Sequence, residues 1–329
     1  MQVPAKWRRS AAGVTALAMA AYLAVALSAQ GGQILESITH IGAGTVALVL
    51  LLSLFNYGLR FTRWQLYLGW RGFEVPVLRS LLIYLAGFAL TVSPGKAGEG
   101  VRCLYLNHEG VPYKASVALL FVERLLDFFA IVVLAAFVLW GRADLAWTIA
   151  IPLVFAVTAL FLVTRERSPA FLMRAGQRLG GRPGRMIEWT ADTLEHSRQL
   201  LTWKRLAVSL VLSVIAWGAE GYGVWLLASA IGHDLGVGPA IGIYGLAILA
   251  GAMAVFVPAG LGGTETVMTG ALAAAGLPLA SAIAITLVCR LATLWFAVAL
   301  GVAALTLVEL KLAPATRPAT LEGLEGAHE

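Results

Sequence analysis

Charge is scarce in this chain. Only 13% of its 329 residues are Asp, Glu, Lys or Arg, while 59% are hydrophobic. Soluble domains carry about 25% charged residues, so this shortage excludes an ordinary soluble domain. Cysteine is nearly absent. Cys103 and Cys289 make neither a disulfide framework nor a metal site, and both sit beside or within apolar runs, so free thiols are expected. His108, His196 and His233 are scattered without metal-ligand spacing. The phosphate-loop pattern G-x-x-x-x-G-K-[ST] and the dinucleotide pattern G-x-G-x-x-G are both missing. No cofactor is expected.

What is present is long apolar sequence. Several stretches approach the roughly 20 apolar residues that cross a hydrocarbon core, which indicates an all-α polytopic membrane protein. Residues 11–29, 39–59, 114–141, 145–164, 206–231 and 279–308 read as about six transmembrane helices. The run 11–29 exceeds the roughly 7–15 apolar residues of a signal peptide, so it reads as a retained first helix. The net charge is +6 with pI near 9.5. Lys and Arg gather in a few loops, which marks a cytoplasmic side rather than nucleic-acid binding. Lys6, Arg8 and Arg9 place the N-terminus inside, and two crossings then put Arg60, Arg63, Arg71 and Arg79 inside too. The stretch 165–205 carries nine basic against four acidic residues. It reads as cytoplasmic, interfacial helices about a turn at GGRPG (180–184), lying against anionic lipid headgroups. The integral domain spans 1–312, and 313–329 reads as a disordered cytoplasmic tail.

Two segments do not fit as crossings. Residues 79–93 and 239–257 each end in a Pro-Gly-rich loop and precede a short helix, 99–109 and 265–275. Eleven helical residues reach roughly 16 Å, about half the core. Each pair therefore reads as a re-entrant helical hairpin, which survives only when buried in protein or lining a polar cavity. A full crossing by 239–257 stays open. In SPGKAGEGVR (93–102), Pro94 stops the first half-helix. Gly95, Gly98 and Gly100 allow a reversal and close backbone approach. The following helix start is an anion site by geometry. Glu99 either caps that helix or faces a ligand. Lys96 and Arg102 either hold a phosphate or snorkel to the surface.

The hairpins share a pattern. Glu99 is followed by Gly110, Pro112 and Arg124, and Glu265 by Gly276, Pro278 and Arg290. The offsets agree, which indicates an internal repeat: copy one about 39–164 and copy two about 206–308. The topology makes the copies inverted, a recurrent transporter plan with its site near mid-membrane. Glu123, Arg124 and Asp127 fall on one face of a long helix. Each central charge costs roughly 2.5–3.5 kcal/mol on insertion scales, so Arg124 pairs with Asp127 at i,i+3. The trio is either a structural ion cluster or a cavity lining. Arg290 needs an acid from another helix, Glu220 or Glu265, or an anionic ligand. A buried guanidinium recognises phosphate bidentately.

On PGKAGEGVR (94–102), GVPYKASVALLFVERLLD (110–127), VPAGLGGTE (257–265), GLPLASAIAITLVCRLATLW (276–295) and RFTRWQLYL (60–68), the chain resembles the lysylphosphatidylglycerol synthase transmembrane region, or flippase-like domain family. The resemblance covers most of residues 11–308. It implies a cytoplasmic-membrane protein that flips or handles lipids, with both termini inside. The family's charged positions map onto Glu99, Glu123, Arg124, Glu265 and Arg290, while Cys289 stands where Glu123 stands in the other copy. Some members carry a fused aminoacyl transferase; too few residues follow the last helix for one here, so lysyl transfer is not expected. The expected function is a flippase-type transporter of an anionic or zwitterionic lipid headgroup, not an enzyme. The alternative is a membrane enzyme or accessory subunit in envelope-lipid or lipid-linked glycan synthesis. Self-association and association with a lipid-modifying enzyme both stay open.

Overall fold

A computed structural model of the chain describes residues 24, 31–93, 97–139, 146–253 and 262–312, and these hold helices and turns with no strand among them. The expected first crossing 11–29, Pro94, Gly95 and Lys96, the bend 254–261 and the tail 313–329 lie outside the described residues.

Helix α1, Gly31–Trp70, is 40 residues long. At 1.5 Å per residue it reaches about 60 Å, twice a hydrocarbon core. It bends at Gly42, whose φ of 72° and ψ of 153° break the helical geometry. The expected crossing 39–59 is therefore too short. The helix runs eleven residues further, and Arg60 and Arg63 are buried helical residues rather than loop charges marking a cytoplasmic face. Tyr57, Arg60, Trp64, Tyr67 and Leu68 are buried at three- and four-residue spacing, so one stripe faces inward.

Helix α2, Val77–Ala86, tightens into a 3-10 turn, Gly87–Leu90. A second 3-10 turn, Ala97–Gly100, leads into α3, Val101–His108. The long helix α4, Tyr113–Ala135, ends in a 3-10 turn, Ala136–Leu139. Then come α5, Ala146–Thr164, and the pair α6, Arg167–Leu179, and α7, Gly181–Arg198. That pair turns at Gly180, where φ is +60°, within the expected GGRPG turn. Helix α8 is Trp203–Ala230, α9 Val237–Met253 and α10 Gly263–Ala274. The expected single span 279–308 is α11, Leu279–Arg290, a π-turn, Leu291–Trp295, and α12, Phe296–Leu312.

Among the described residues, four runs are long and apolar enough to cross a membrane: α1, α5, α8 and Leu279–Leu310. Val77–Leu90 and α9 are apolar but shorter. The chain is a multi-pass helical membrane protein.

Helices α1 and α8 lie antiparallel, with Arg63 meeting Ser213, Arg60 meeting Trp217, and Val49 against Gly223. The first turn-forming unit, α2–α3, packs α2 on α12; the second, α9–α10, packs α9 on α4. Both contacts are backbone-close. A Cβ on Gly301 would overlap the Phe88–Ala89 backbone. Cβ atoms on Gly242 and Gly245 would overlap the Leu134–Val138 backbone. In the first bend Gly98 is equally crowded, since a Cβ there would sit 2.5 Å from that of Leu90, so close approach is its role.

The backbone repeats itself. Gly72 and Gly232 adopt φ of 72° and 78°. The amides of Phe73 and His233 donate to the carbonyls of Leu68 and Ala228, each five residues back. Gly110 and Gly276 adopt φ of 83° and 100°. Val111 and Leu277 donate to Leu106 and Leu272 in the same way. Pro112 and Pro278 then start α4 and α11 with nearly identical angles.

Gly245→Leu is expected to abolish or severely destabilise the fold, because the Ala135 backbone cannot move aside; overpacking alone costs about 1–3 kcal/mol. Gly58→Ala, in a position where a Cβ meets nothing within 4 Å, is expected to be neutral or to stabilise by about 0.5–1 kcal/mol. Thermal unfolding in detergent distinguishes the two.

Candidate functional site

Burying an ion without a partner is prohibitive, so buried charges come paired. Here the charged groups gather in two clusters that meet at one cavity. Helix α1 contributes Arg60 and Arg63, α3 contributes Arg102, α4 contributes Arg124, and α11 contributes Arg290. The acids are Glu99 in the first bend, Glu123 and Asp127 on α4, Glu220 on α8 and Glu265 on α10.

The densest part clasps α4. Arg63, fully buried, donates to Asp127 at 2.8 Å and to the Ser213 hydroxyl, and lies 3.6 Å from Glu123. Arg60 reaches Asp127 at 3.3 Å and Glu123 at 3.5 Å. Its guanidinium also lies 5.7 Å from the Phe88 ring centroid and 5.1 Å from that of Trp217, where ring quadrupoles favour a cation. Arg102 donates to Glu123 and Glu99, both at 3.0 Å, over the faces of Trp64 and Tyr84. It is wholly buried, so it does not snorkel to the surface. Arg124 pairs with Asp127 at 3.2 Å, as the i,i+3 spacing requires, and also with Glu123 at 2.8 Å and Glu99 at 3.5 Å. The Tyr84 hydroxyl donates to Glu123, and Thr91 donates to Glu99.

The other half holds fewer ionised groups among the described residues. Arg290 donates to Glu265 at 2.7 Å, and Glu265 also accepts the Gly262 amide at 2.8 Å, capping α10. Of the two acids the sequence offered Arg290, Glu265 is thus bonded to it. The equivalent Glu99–Arg124 pair ties the first bend to α4 in the same way. Glu220 accepts from the Tyr244 hydroxyl.

A cavity of about 60 Å³ opens between the halves, room for about four to six waters at roughly 10–15 Å³ each. Its charged lining is Arg60, Glu99, Glu220 and Arg290; Tyr57, Phe88, Trp217 and Tyr244 form most of its aromatic wall. Thr293 and Leu294 reach it from the π-turn, an element frequent at functional sites. Among the residues proposed from sequence, Glu99, Glu220 and Arg290 line the cavity. Arg102, Glu123, Arg124, Asp127 and Glu265 brace the residues that do. Lys96 lies outside the described residues. Sequence reading missed Arg60, Arg63, Tyr84 and Tyr244. The signal for the arginines was there, since Asn56, Arg60, Arg63 and Tyr67 recur at three- and four-residue spacing along an unbroken helical pattern.

With this geometry in hand, the comparisons are informative. A family model described as the lysylphosphatidylglycerol synthase TM region matches residues 11–301. The chain belongs to this family. It is similar to a UPF0104 membrane protein of Methanocaldococcus jannaschii, 24% identical over 272 residues that cover 76% of this chain and 80% of the relative. It is also similar to a UPF0104 membrane protein of Methanothermobacter thermautotrophicus, 28% identical over 247 residues that cover 68% of this chain and 73% of the relative. The family match spans both halves of the ion network, from Arg60 to Arg290, and supports a membrane protein of lipid-related processes.

Asp127→Ala leaves Arg63 buried and under-compensated and is expected to destabilise the protein by about 3–5 kcal/mol, whereas replacing both partners in Arg63→Met/Asp127→Leu recovers most of that loss. Thermal midpoints of the single and double variants in detergent measure the difference.

Proposed function

We propose that this chain is a flippase-type lipid transporter rather than an enzyme. The cavity receives an anionic or zwitterionic lipid headgroup. The carrying observation is the cavity itself: arginines and carboxylates from both halves converge on one small polar space inside a helical membrane protein. Arg60 and Arg290 supply the guanidinium donors for a phosphate, and the aromatic wall suits the glycerol or amine portion. The apolar chains stay in the bilayer.

The repeated backbone favours an inverted repeat. Tyr57, Arg60 and Phe88 in one half stand 160 positions before Trp217, Glu220 and Ile248 in the other, and all six line the cavity. A site shared by two mirrored copies opens to either side when one copy rocks against the other. The units α2–α3 and α9–α10 are the re-entrant hairpins of that plan, too short to cross twice yet packed within protein. The protein sits in the cytoplasmic membrane with both termini inside. There α6 and α7 turn Arg174, Arg178 and the exposed Phe171, Met186 and Trp189 to an anionic lipid surface.

Proteoliposomes carrying fluorescent-headgroup phosphatidylglycerol test the reading. Arg60→Ala and Arg290→Ala are expected to slow lipid movement by about 10- to 150-fold, the range for losing one charged hydrogen bond of roughly 1.5–3 kcal/mol. Folded variants that move lipid like the wild type overturn the site. Asn107→Cys and Ala275→Cys, at the ends of the two hairpins, are expected to react with an impermeant maleimide from opposite sides of the membrane. Labelling from one side only overturns the inversion.

A further inference from the structure

Away from the cavity, one group of cations gathers at a corner of the bundle. Because α1 and α8 lie antiparallel, the end of α1 and the start of α8 meet there. Trp70 closes α1 and Arg71 follows it, while Trp203, Lys204 and Arg205 open α8. The Arg205 guanidinium lies 5.3 Å from the Trp70 ring centroid, within cation–π reach. It also donates to the Gln199 carbonyl, in the turn after α7, at 2.8 Å. Arg71 is therefore beside it. Partial burial and the charge of Arg205 hold the Arg71 guanidinium below the ordinary arginine range. Like charges brought together in partly desolvated surroundings repel. Among the described residues neither arginine makes an ion pair, and Glu74, three residues beyond Arg71, is exposed and bonds to neither.

The repeat supplies a comparison. The turn after α8 is built like the turn after α1, with Gly232 in the place of Gly72 and the His233 amide bond in the place of that of Phe73. At the same offset of 160 positions, Ala230 and Ile231 stand for Trp70 and Arg71, and Ala43, Gly44 and Thr45 for Trp203, Lys204 and Arg205. The same backbone turn thus forms without a cation or a tryptophan. Folding of the turn does not require the two arginines, and their closeness calls for an anion.

We propose that Arg71 and Arg205 bind the phosphate of an anionic phospholipid from the adjoining leaflet, at a site separate from the cavity. Guanidinium forks match phosphate oxygens, and a phosphate between the two arginines turns their repulsion into shared attraction. Lys204, exposed at the same end, adds a third positive charge, which favours an anionic lipid over a zwitterionic one. Trp203 is 81% exposed on the first turn of an apolar helix long enough to cross the membrane. That is the level where tryptophan rests among headgroups. Arg60, which lines the cavity, stands eleven positions before Arg71, about 16 Å along the helix. A lipid held at the corner therefore leaves the cavity open. The site rests on the membrane-spanning fold alone, and it stands whether or not the cavity moves lipid.

The test is photo-crosslinking in phosphatidylcholine proteoliposomes of the full chain, using a low fraction of phosphatidylglycerol with a diazirine beside its headgroup. Cross-linked peptides are read by mass spectrometry. Label is expected on the peptides that hold Trp70–Arg71 and Trp203–Arg205. Its yield there is expected to fall about fivefold in each of Arg71→Gln and Arg205→Gln, the loss for one cation near a membrane surface. Arg79→Gln, which removes an exposed arginine paired with Glu109, is expected to leave the yield unchanged. Unlabelled phosphatidylglycerol is expected to compete, and inorganic phosphate to have no effect. Wild-type label that avoids both peptides overturns the site. An unchanged yield in both arginine variants, with thermal midpoints like the wild type, overturns the assignment to these side chains. An equal fall in Arg79→Gln reveals diffuse surface attraction and overturns the discrete pair. Competition by inorganic phosphate as strong as by phosphatidylglycerol overturns the lipid as the ligand.

Discussion

The pairing of Arg63 with Asp127 holds the centre of this molecule. A fully buried guanidinium bonded at 2.8 Å to a buried carboxylate lets charge exist inside an apolar bundle at all. That bond joins α1 to α4, and the Ser213 hydroxyl adds α8. Arg60 repeats the link one turn earlier, and Arg102 extends it to α3. The helices are thereby held to one another at a single level, and the cavity forms beside that level. Apolar packing alone gives weak register along a membrane helix, since lipid tails are as apolar as leucine. The ionic contacts have direction, so they specify which turn of α1 faces which turn of α4.

Glycine does complementary work where charge is absent. Gly301 against α2's turn, and Gly242 and Gly245 against the end of α4, let backbones approach too closely for any side chain. These contacts seat α2's turn on α12 and α9 on the end of α4. Beyond these contacts Glu99 meets Arg124 and Glu265 meets Arg290. Two equivalent ionic ties thus recur at equivalent positions along the chain.

The halves match in backbone but differ in charge. Arg60 in one half corresponds to Glu220 in the other, and Glu123 corresponds to Cys289. Among the described residues, seven of the ten ionised groups belong to the first half and three to the second, and two from each half line the cavity. The π-turn after Arg290 falls in the second half, where the equivalent stretch of α4 is regular.

The sequence by itself determined the class, the family resemblance and the spacing of the paired Glu–Arg positions. Hydrocarbon length and helical periodicity are local properties, and local properties can be read along the chain. The Arg124–Asp127 pair was legible for the same reason, being one helical turn long. The places of Arg60 and Arg63 were not. Four arginines after an apolar run look like a loop at the membrane surface, and only the acids of α4 turn two of them into buried residues. Nor could spacing say that Glu265 bonds Arg290, or that Glu220 faces Tyr244. Those partners lie 25 and 24 residues apart on different helices. The tertiary structure decided them, because desolvation makes the partner of a buried charge depend on what folds against it.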